Sequence, residues 1–384
     1  MVQKGLIISR FIVGILFLFT GFVKGIDPVG LQYKLNDYIE ALHINLLNSL
    51  VFPGSLLLPF AEFAIGIALL TGIFVRVSIK GAFGFMLIFT PLTLYIALKN
   101  PVTDCGCFGD ALVITNWETF YKNIILMSLV IFLLNKREHL IFVTSARFRQ
   151  ISFIFLISAY LIVVCWSYVY EPILDFRPYK VGANIPQGMI IPDGAPRDLY
   201  QNSYLYRNRS SNEVKKFNDQ NFPWKDTLNW KFESMDPPLL LKKGYHPPIH
   251  DFSIQTTERI NVTDSYLNDS IVTFFVIAYD LERSSYRNQD KLNKLAIWAK
   301  EHKYRFIALT STSGPPLEKY QLEHKPSYDI LFTDQTTLKT IIRSNPGLLL
   351  LRKGTILAKW PNNALPDSIQ IEAILNKQKD IHEF

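Results

Sequence analysis

Two cysteines stand one residue apart in the segment Asp104-Cys105-Gly106-Cys107-Phe108-Gly109-Asp110. Thiols at that spacing close a disulfide only in a small, strained ring, and strain makes such a bond easier to reduce. A labile disulfide suits electron exchange better than structural stapling. The same two soft sulfurs also suit Cu(I) or Zn(II), with His43 as a candidate third ligand. A tight loop holding a static disulfide or two idle thiols is the third reading, and all three stay open at this point. The chain has one further cysteine, Cys165, either a small packing residue or a resolving thiol for the pair. Three cysteines in 384 residues make no disulfide framework.

The elements that must position this pair are membrane spans. Hydrophobic residues make up 49% of the chain, with a mean hydropathy of +0.14. That excess is concentrated before residue 170. A spanning helix needs roughly 20 mostly apolar residues, and five stretches qualify: Leu6–Ile26, Leu50–Val75, Ile79–Leu98, Trp117–Leu134 and Ile151–Tyr170. The fourth is the weakest, because Glu118 and Lys122 fall in its first turns, although Trp117, Phe120 and Tyr121 fit an interfacial aromatic belt. The first stretch is too long for a cleaved signal core and reads as a retained anchor. The net charge of +7 has no long basic run behind it, so nucleic acid is not an expected partner.

Lys and Arg set the orientation. With the N-terminus in the cytoplasm, Lys4, Arg76, Lys80, Lys136, Arg137, Arg147 and Arg149 flank the inner ends. Lys34 and Lys99 lie outside among Asp27, Asp37, Glu40, Asp104 and Asp110. The cysteine loop and everything after Tyr170 then face outward. Arg10 and Glu62 lie inside apolar spans, where ionisable groups are costly and face the bundle interior. Glu62 sits about 13 Å below the outer end of its helix at the rise of an α-helix. It is a structural pairing partner or a proton or ligand site.

A membrane domain with Asp-Cys-Gly-Cys-Phe-Gly before its fourth helix resembles the DoxX/MauE group. The first helix, Arg10 to Phe17 and on through Gly21-Phe22-Val23-Lys24, resembles the DoxX start. Glu62, Gly66 and Leu70-Thr71-Gly72 resemble its second helix. The resemblance spans roughly residues 5–135. It implies a four-helix membrane core and redox work: disulfide formation beside a thioredoxin-like partner in the MauE branch, quinone- or thiosulfate-linked processes in DoxX relatives. It also implies a bacterial inner membrane with the outer part in the periplasm. Nothing in the residues points to methylamine, and a fifth helix with a large outer domain departs from the simple family pattern.

Past the membrane, residues 199–235 show short alternating runs that read as a small β-rich insert. From His246 the pattern is regular. Ile271–Tyr279, Phe306–Leu309, Tyr328–Phe332, Leu348–Leu351 and Thr355–Trp360 read as strands, and Asp290–Glu301, Thr336–Ile342 and Asp367–Leu375 as helices. A hairpin turns at Gly354. The order βαβ, α, ββ, α resembles a thioredoxin fold, with Asn345-Pro346 where that fold keeps its cis-proline. No cysteine follows Cys165, so this domain has no thiolate for dithiol exchange. Ser284 and Ser285, where the redox motif would stand, are expected to cap the next helix. His246, His250, His302 and His324 show no metal spacing.

The expected architecture is therefore an α-helical membrane bundle followed by an α/β thioredoxin-like domain. It divides into residues 1–135, a DoxX/MauE-like core; 136–170, a cytoplasmic loop and fifth span; 171–245, a linker or β-rich insert; and 246–384, a thioredoxin-like domain without CxxC. The leading function is a membrane thiol-disulfide or quinone-linked redox component. Cys105 and Cys107 form the redox pair, Glu62 and Cys165 are secondary candidates, and a quinone is the cofactor this reading admits. No second cysteine pair is present to relay electrons. The alternative is a non-catalytic envelope scaffold that binds periplasmic proteins through residues 246–384. Metal handling by the loop comes third. No inverted repeat supports a transporter.

Overall fold

The computed structural model describes residues 2–102, 105–140, 145–242 and 244–382, with side chains described to residue 377. Five helical stretches among them are long and apolar enough to cross a membrane: Val2–Gly25, Asn45–Thr71, Val75–Lys99, Asn116–His139 and Ala146–Val169. The chain is a membrane protein. Its α-helices in this part are α1 (Val2–Gly25), α2 (Pro28–Ala41), α3 (Val51–Thr71), α4 (Val75–Lys99), α5 (Asn116–Lys136) and α6 (Ala146–Val169). The fourth span, weak by composition, is fixed at its start by a capping box in which Thr115 and Glu118 bond each other's backbone N–H. That is why a charged residue opens an apolar helix. The first inter-span loop holds α2, which the hydropathy pattern does not announce. Asp27 caps it, accepting from the Gly30 N–H at 2.9 Å, and Pro28 begins it.

Helices α1 and α3 cross at glycines. A Cβ on Gly66 would stand 2.4 Å from the Leu18 nitrogen, and one on Gly21 would stand 2.4 Å from the Phe63 nitrogen. Small residues let membrane helices approach backbone to backbone. This crossing brings residues one turn away, Lys24 and Glu62, into contact across it. Tyr160 of α6 stacks on Phe63 with ring centres 4.0 Å apart and donates to the Gly21 carbonyl. One buried cluster joins Leu6, Val13 and Phe17 to Leu69, Ile79, Met86, Leu126, Val130 and Leu133. Much of the outer wall is exposed hydrocarbon, including Ile154, Phe155 and Ile162 of α6, as a bilayer requires.

Residues 184–252 form a separate compact unit. It holds the short helix α7 (Ile185–Gly188) and a three-stranded antiparallel sheet, β2-β1-β3, from β1 (Leu199–Asn208), β2 (Val214–Asn218) and β3 (Trp230–Lys242).

Residues 253–384 carry α8 (Thr263–Leu267), β4 (Thr273–Ile277), α9 (Gln289–Glu301), β5 (Arg305–Thr310), α10 (Pro315–His324), β6 (Asp329–Phe332), α11 (Gln335–Ile341), β7 (Gly347–Arg352), β8 (Thr355–Pro361) and α12 (Ser368–His382). The sheet order is β6-β5-β4-β7-β8. β4, β5 and β6 run parallel; β7 and β8 are antiparallel. A βαβ unit joined to an antiparallel hairpin, with β4 central, is the thioredoxin-like arrangement, and β6 extends it by one edge strand. β4 is buried throughout, so Phe274 and Val276 meet Leu292, Leu295, Ala296 and Leu350 in the core. The Asn345–Pro346 peptide is cis, and the hairpin turns through Lys353 and Gly354, both with positive φ. One local expectation fails. Ser284 and Ser285 do not cap α9: its N-cap is Asn288, the Ser285 N–H donates to the Asn345 carbonyl, and the buried Ser284 hydroxyl has no bonding partner among the described residues.

Candidate functional site

The cysteine loop is held from three helices. Tyr38 of α2 donates its hydroxyl to the Cys105 carbonyl. Phe108 is buried, its ring 5.6 Å from that of Phe19 of α1, with the Lys122 ammonium of α5 4.4 Å from its centre. Asn116, at the start of α5, donates to the Asn100 side chain and the Val102 carbonyl at the start of the loop. Gly106 takes φ +59°, a conformation other residues adopt only at a cost. That turn brings Cys105 Sγ and Cys107 Sγ to 3.0 Å, as two thiols. Asp104 lies outside the described residues.

The two sulfurs are electrically unlike. The hydrogen bond from Cys105, with the cations Lys122 and Lys24, draws Cys107 down to about 6 against the burial that opposes it. The bond to Cys107 and burial push Cys105 up. A thiol with a low pKa is thiolate at neutral pH, and the thiolate is the nucleophile.

Both cysteines line a cavity of about 410 Å³ inside the helix bundle. Its walls are chiefly apolar, with Phe17, Leu58, Phe85, Met86 and Leu126 among them. Besides the thiols, polar side chains stand in the lining, among them Lys24, Lys34, Tyr38, Glu62 and Lys122. Lys24 Nζ binds both Glu62 oxygens, at 2.7 and 2.8 Å, and the two side chains are 12% and 9% exposed. The ion partner of Glu62 is thus Lys24. The structure brings Cys105, Cys107 and Glu62 to one cavity. It does not bring Cys165, which is exposed on α6 and absent from the lining. Among the described residues no group of three His, Cys, Asp or Glu is placed to hold a metal ion, so His43 is not assembled with the pair. Lys24 and Lys122, which the sequence showed only as part of the first-helix pattern and as a charge in the fourth span, were not read there as site residues. The signal for Lys24 was its place in the last turn of an apolar span.

A second cluster joins the membrane helices to the thioredoxin-like part. Arg343, in the turn before the cis-proline, is 8% exposed and binds Asp27 through Nε at 2.9 Å and Nη2 at 2.6 Å. Its Nη2 also lies 3.1 Å from Asp110, three residues past Cys107. Glu171, just after α6, accepts from the Arg343 and Ser344 N–H groups and from Arg177. Tyr33 and Tyr279 meet hydroxyl to hydroxyl at 2.9 Å. Burial raises the Asp27 carboxyl, but the Arg343 guanidinium outweighs it and holds Asp27 below the usual carboxylate range.

No curated protein matches the chain. Two solved structures match its thioredoxin-like part. One is described as "Putative Thioredoxin from Neisseria meningitidis", 16% identical, covering 33% of this chain and 86% of its own, with a TM-score of 0.27. The other is an uncharacterized conserved protein from Geobacillus kaustophilus, 15% identical, covering 33% and 79%, with a TM-score of 0.27. The fold assignment rests on the strand order, not on these two. For the membrane part, the family model described as methylamine utilisation protein MauE matches residues 2–136, the four-span core that carries the Cys105-Gly106-Cys107 loop.

Proposed function

We propose that this chain is a membrane dithiol oxidoreductase whose Cys105/Cys107 pair exchanges two electrons with a quinone entering the apolar cavity. The observation that carries this reading is the placement of both sulfurs, 3.0 Å apart, in the lining of a chiefly apolar cavity within the spans. Its volume of about 410 Å³ falls in the usual small-molecule range of roughly 300–1,000 Å³. An apolar wall with a few polar groups at one place fits a lipid-soluble ring with polar oxygens. In the oxidising direction two S–H bonds break and one S–S bond forms; two electrons and two protons pass to the quinone, which becomes a hydroquinone. When the oxidised pair meets a client dithiol, a client thiolate opens the disulfide and Cys107, the more acidic thiol, is the better leaving group; in the reverse direction its thiolate attacks a substrate disulfide.

The Lys/Arg bias supports a cysteine end outside the cytoplasm, and the resemblance to bacterial families supports a bacterial inner membrane with that end in the periplasm. The thioredoxin-like domain, having no cysteine, serves as a docking module beside the loop. That same lack of thiols favours the second reading, an envelope scaffold that does no chemistry.

The two readings part in a titration. Detergent-solubilised protein is reduced, freed of reductant and mixed with a short-chain quinone. One quinone reduced per chain, with loss of both loop thiols and none at Cys165, is the expected result. Cys105→Ser and Cys107→Ser each abolish it. Quinone left oxidised beside intact, reduced thiols would favour the scaffold.

A further inference from the structure

A residue that lines a cavity and is also exposed marks where the cavity opens. Among the described lining residues of the apolar cavity, three are exposed: Ile44 at 40%, Leu47 at 38% and Leu50 at 56%. Deeper in the wall, Phe17, Glu62, Met86 and Leu126 are buried. The three exposed residues belong to one stretch, where the 3₁₀ turn Asn45–Leu50 leads into α3. Leu46 beside them is 91% exposed. Such a run of bare aliphatic side chains is a liability in water but not in hydrocarbon, and Asn45–Thr71 is apolar enough throughout to lie in a bilayer. Helix α2 is the roof. Leu31, Leu35 and Tyr38 on one face line the cavity, while Asn36, Asp37 and Glu40 on the other are exposed. A helix so divided lies along the membrane–water interface. The chain turns from it to the mouth at His43, with φ +54°.

A second cavity, of about 250 Å³, adjoins the first, both being lined by Lys24, Leu31, Lys34 and Gly106. Asp27, Asp110, Asp175, Arg177 and Arg343 stand in its walls. A hydrocarbon chain lying there would strip those charges of water, so this side offers an apolar ligand no path.

We infer that the mouth at Ile44, Leu47 and Leu50 is a lateral door from the bilayer, and that the quinone it admits carries a long hydrocarbon tail. The inference rests on the quinone reading above. A cavity of about 410 Å³ is near the lower end of the small-molecule range. It encloses the ring and leaves a long tail to pass out through the mouth. The ring lies toward the cysteine pair, and the tail rests on Leu47 and Leu50 and continues into lipid. Preference for a tailed quinone is therefore set at the mouth and not at the thiols.

The test compares two quinones with the same ring, one bearing a long isoprenoid tail and one bearing none, in vesicles that hold the full chain. The readout is the ratio of their rates of reduction by the reduced protein. The wild-type protein is expected to reduce both and to favour the tailed one. Leu47→Asp and Leu50→Asp put charge in the mouth. Each is expected to lower the ratio by about 10- to 100-fold, the worth of one leucine's apolar burial. A tailed quinone with a photoreactive group along its tail is expected to label residues 44–50 of the wild-type protein, a result that depends on no variant's folding. An unchanged ratio in both variants, or labelling confined to other exposed apolar residues such as those of α6, would overturn the inference while leaving the quinone reading intact. A wild-type protein that reduces neither quinone would overturn both.

Discussion

At Gly106 the backbone takes a positive φ, and the two flanking side chains fall on one side. Their closeness makes them unequal: one thiol donates, the other accepts, and the acceptor acidifies. For Cys107 the cause is the Cys105 hydrogen bond first, then Lys122 and Lys24. An ordinary thiol ionises near 9. Cys107, drawn down to about 6, is therefore expected to react with iodoacetamide at a rate that rises through pH 6 and is level by pH 8. Its folded pKa is depressed, so the thiolate is present above about 6 and is lost as pH falls through that value. Peptide mass mapping after short pulses at several pH values checks this. A rate still climbing at pH 9 would show that the pair does not acidify Cys107. The motif and its spacing were legible in the sequence. The inequality was not, because it depends on Lys24 and Lys122, which come from helices remote in sequence.

Among the elements, the five spans were legible because hydropathy alone decides them, and their ends moved by only a few residues. Helix α2 was not, since its apolar residues are interleaved with Asp37, Lys34 and Glu40 and carry no long run. It supplies Tyr33, Lys34 and Tyr38, three residues at or beside the cavities. The α1–α3 crossing was half legible: Gly21 and Gly66 were visible as family-like positions, but not that their contact sets Lys24 against Glu62. In the thioredoxin-like part the continuous apolar run of β4 and the heptad-like face of α9 marked the core. Ser284 and Ser285 misled because hydroxyl residues before a helix normally cap it. Here the segment instead bonds the cis-proline turn through the Ser285 N–H.

Across the whole membrane and thioredoxin-like unit, Arg343 is the fastening. It gathers Asp27 from the end of α1 and Asp110 from the cysteine loop, while Glu171 binds its own backbone. Removing one partner of a buried ion pair costs about 3–5 kcal/mol. Arg343→Met is therefore expected to loosen the thioredoxin-like part and to expose the segment after α6, near residues 171–183, to protease in the native protein. The pH dependence follows from Asp27. Its folded pKa is depressed, so its contribution is complete above the ordinary carboxylate value of about 3.9 and is lost as pH falls through the lower folded value. Asp110, which burial pushes up despite Arg343, works in the opposite sense. Protection of residues 171–183 should fall on acidification in the wild-type protein and change less in Arg343→Met. Equal protection of both proteins at neutral pH would contradict the fastening.

Cys105 and Cys107 are proposed to cycle against a quinone. Mass-tag trapping of these two thiols in intact cells tests it most directly. The expected result is a mixture of reduced and oxidised pairs that shifts toward reduced when respiration is blocked and quinone can no longer be reoxidised. A pair held in one state whether or not respiration runs would contradict it.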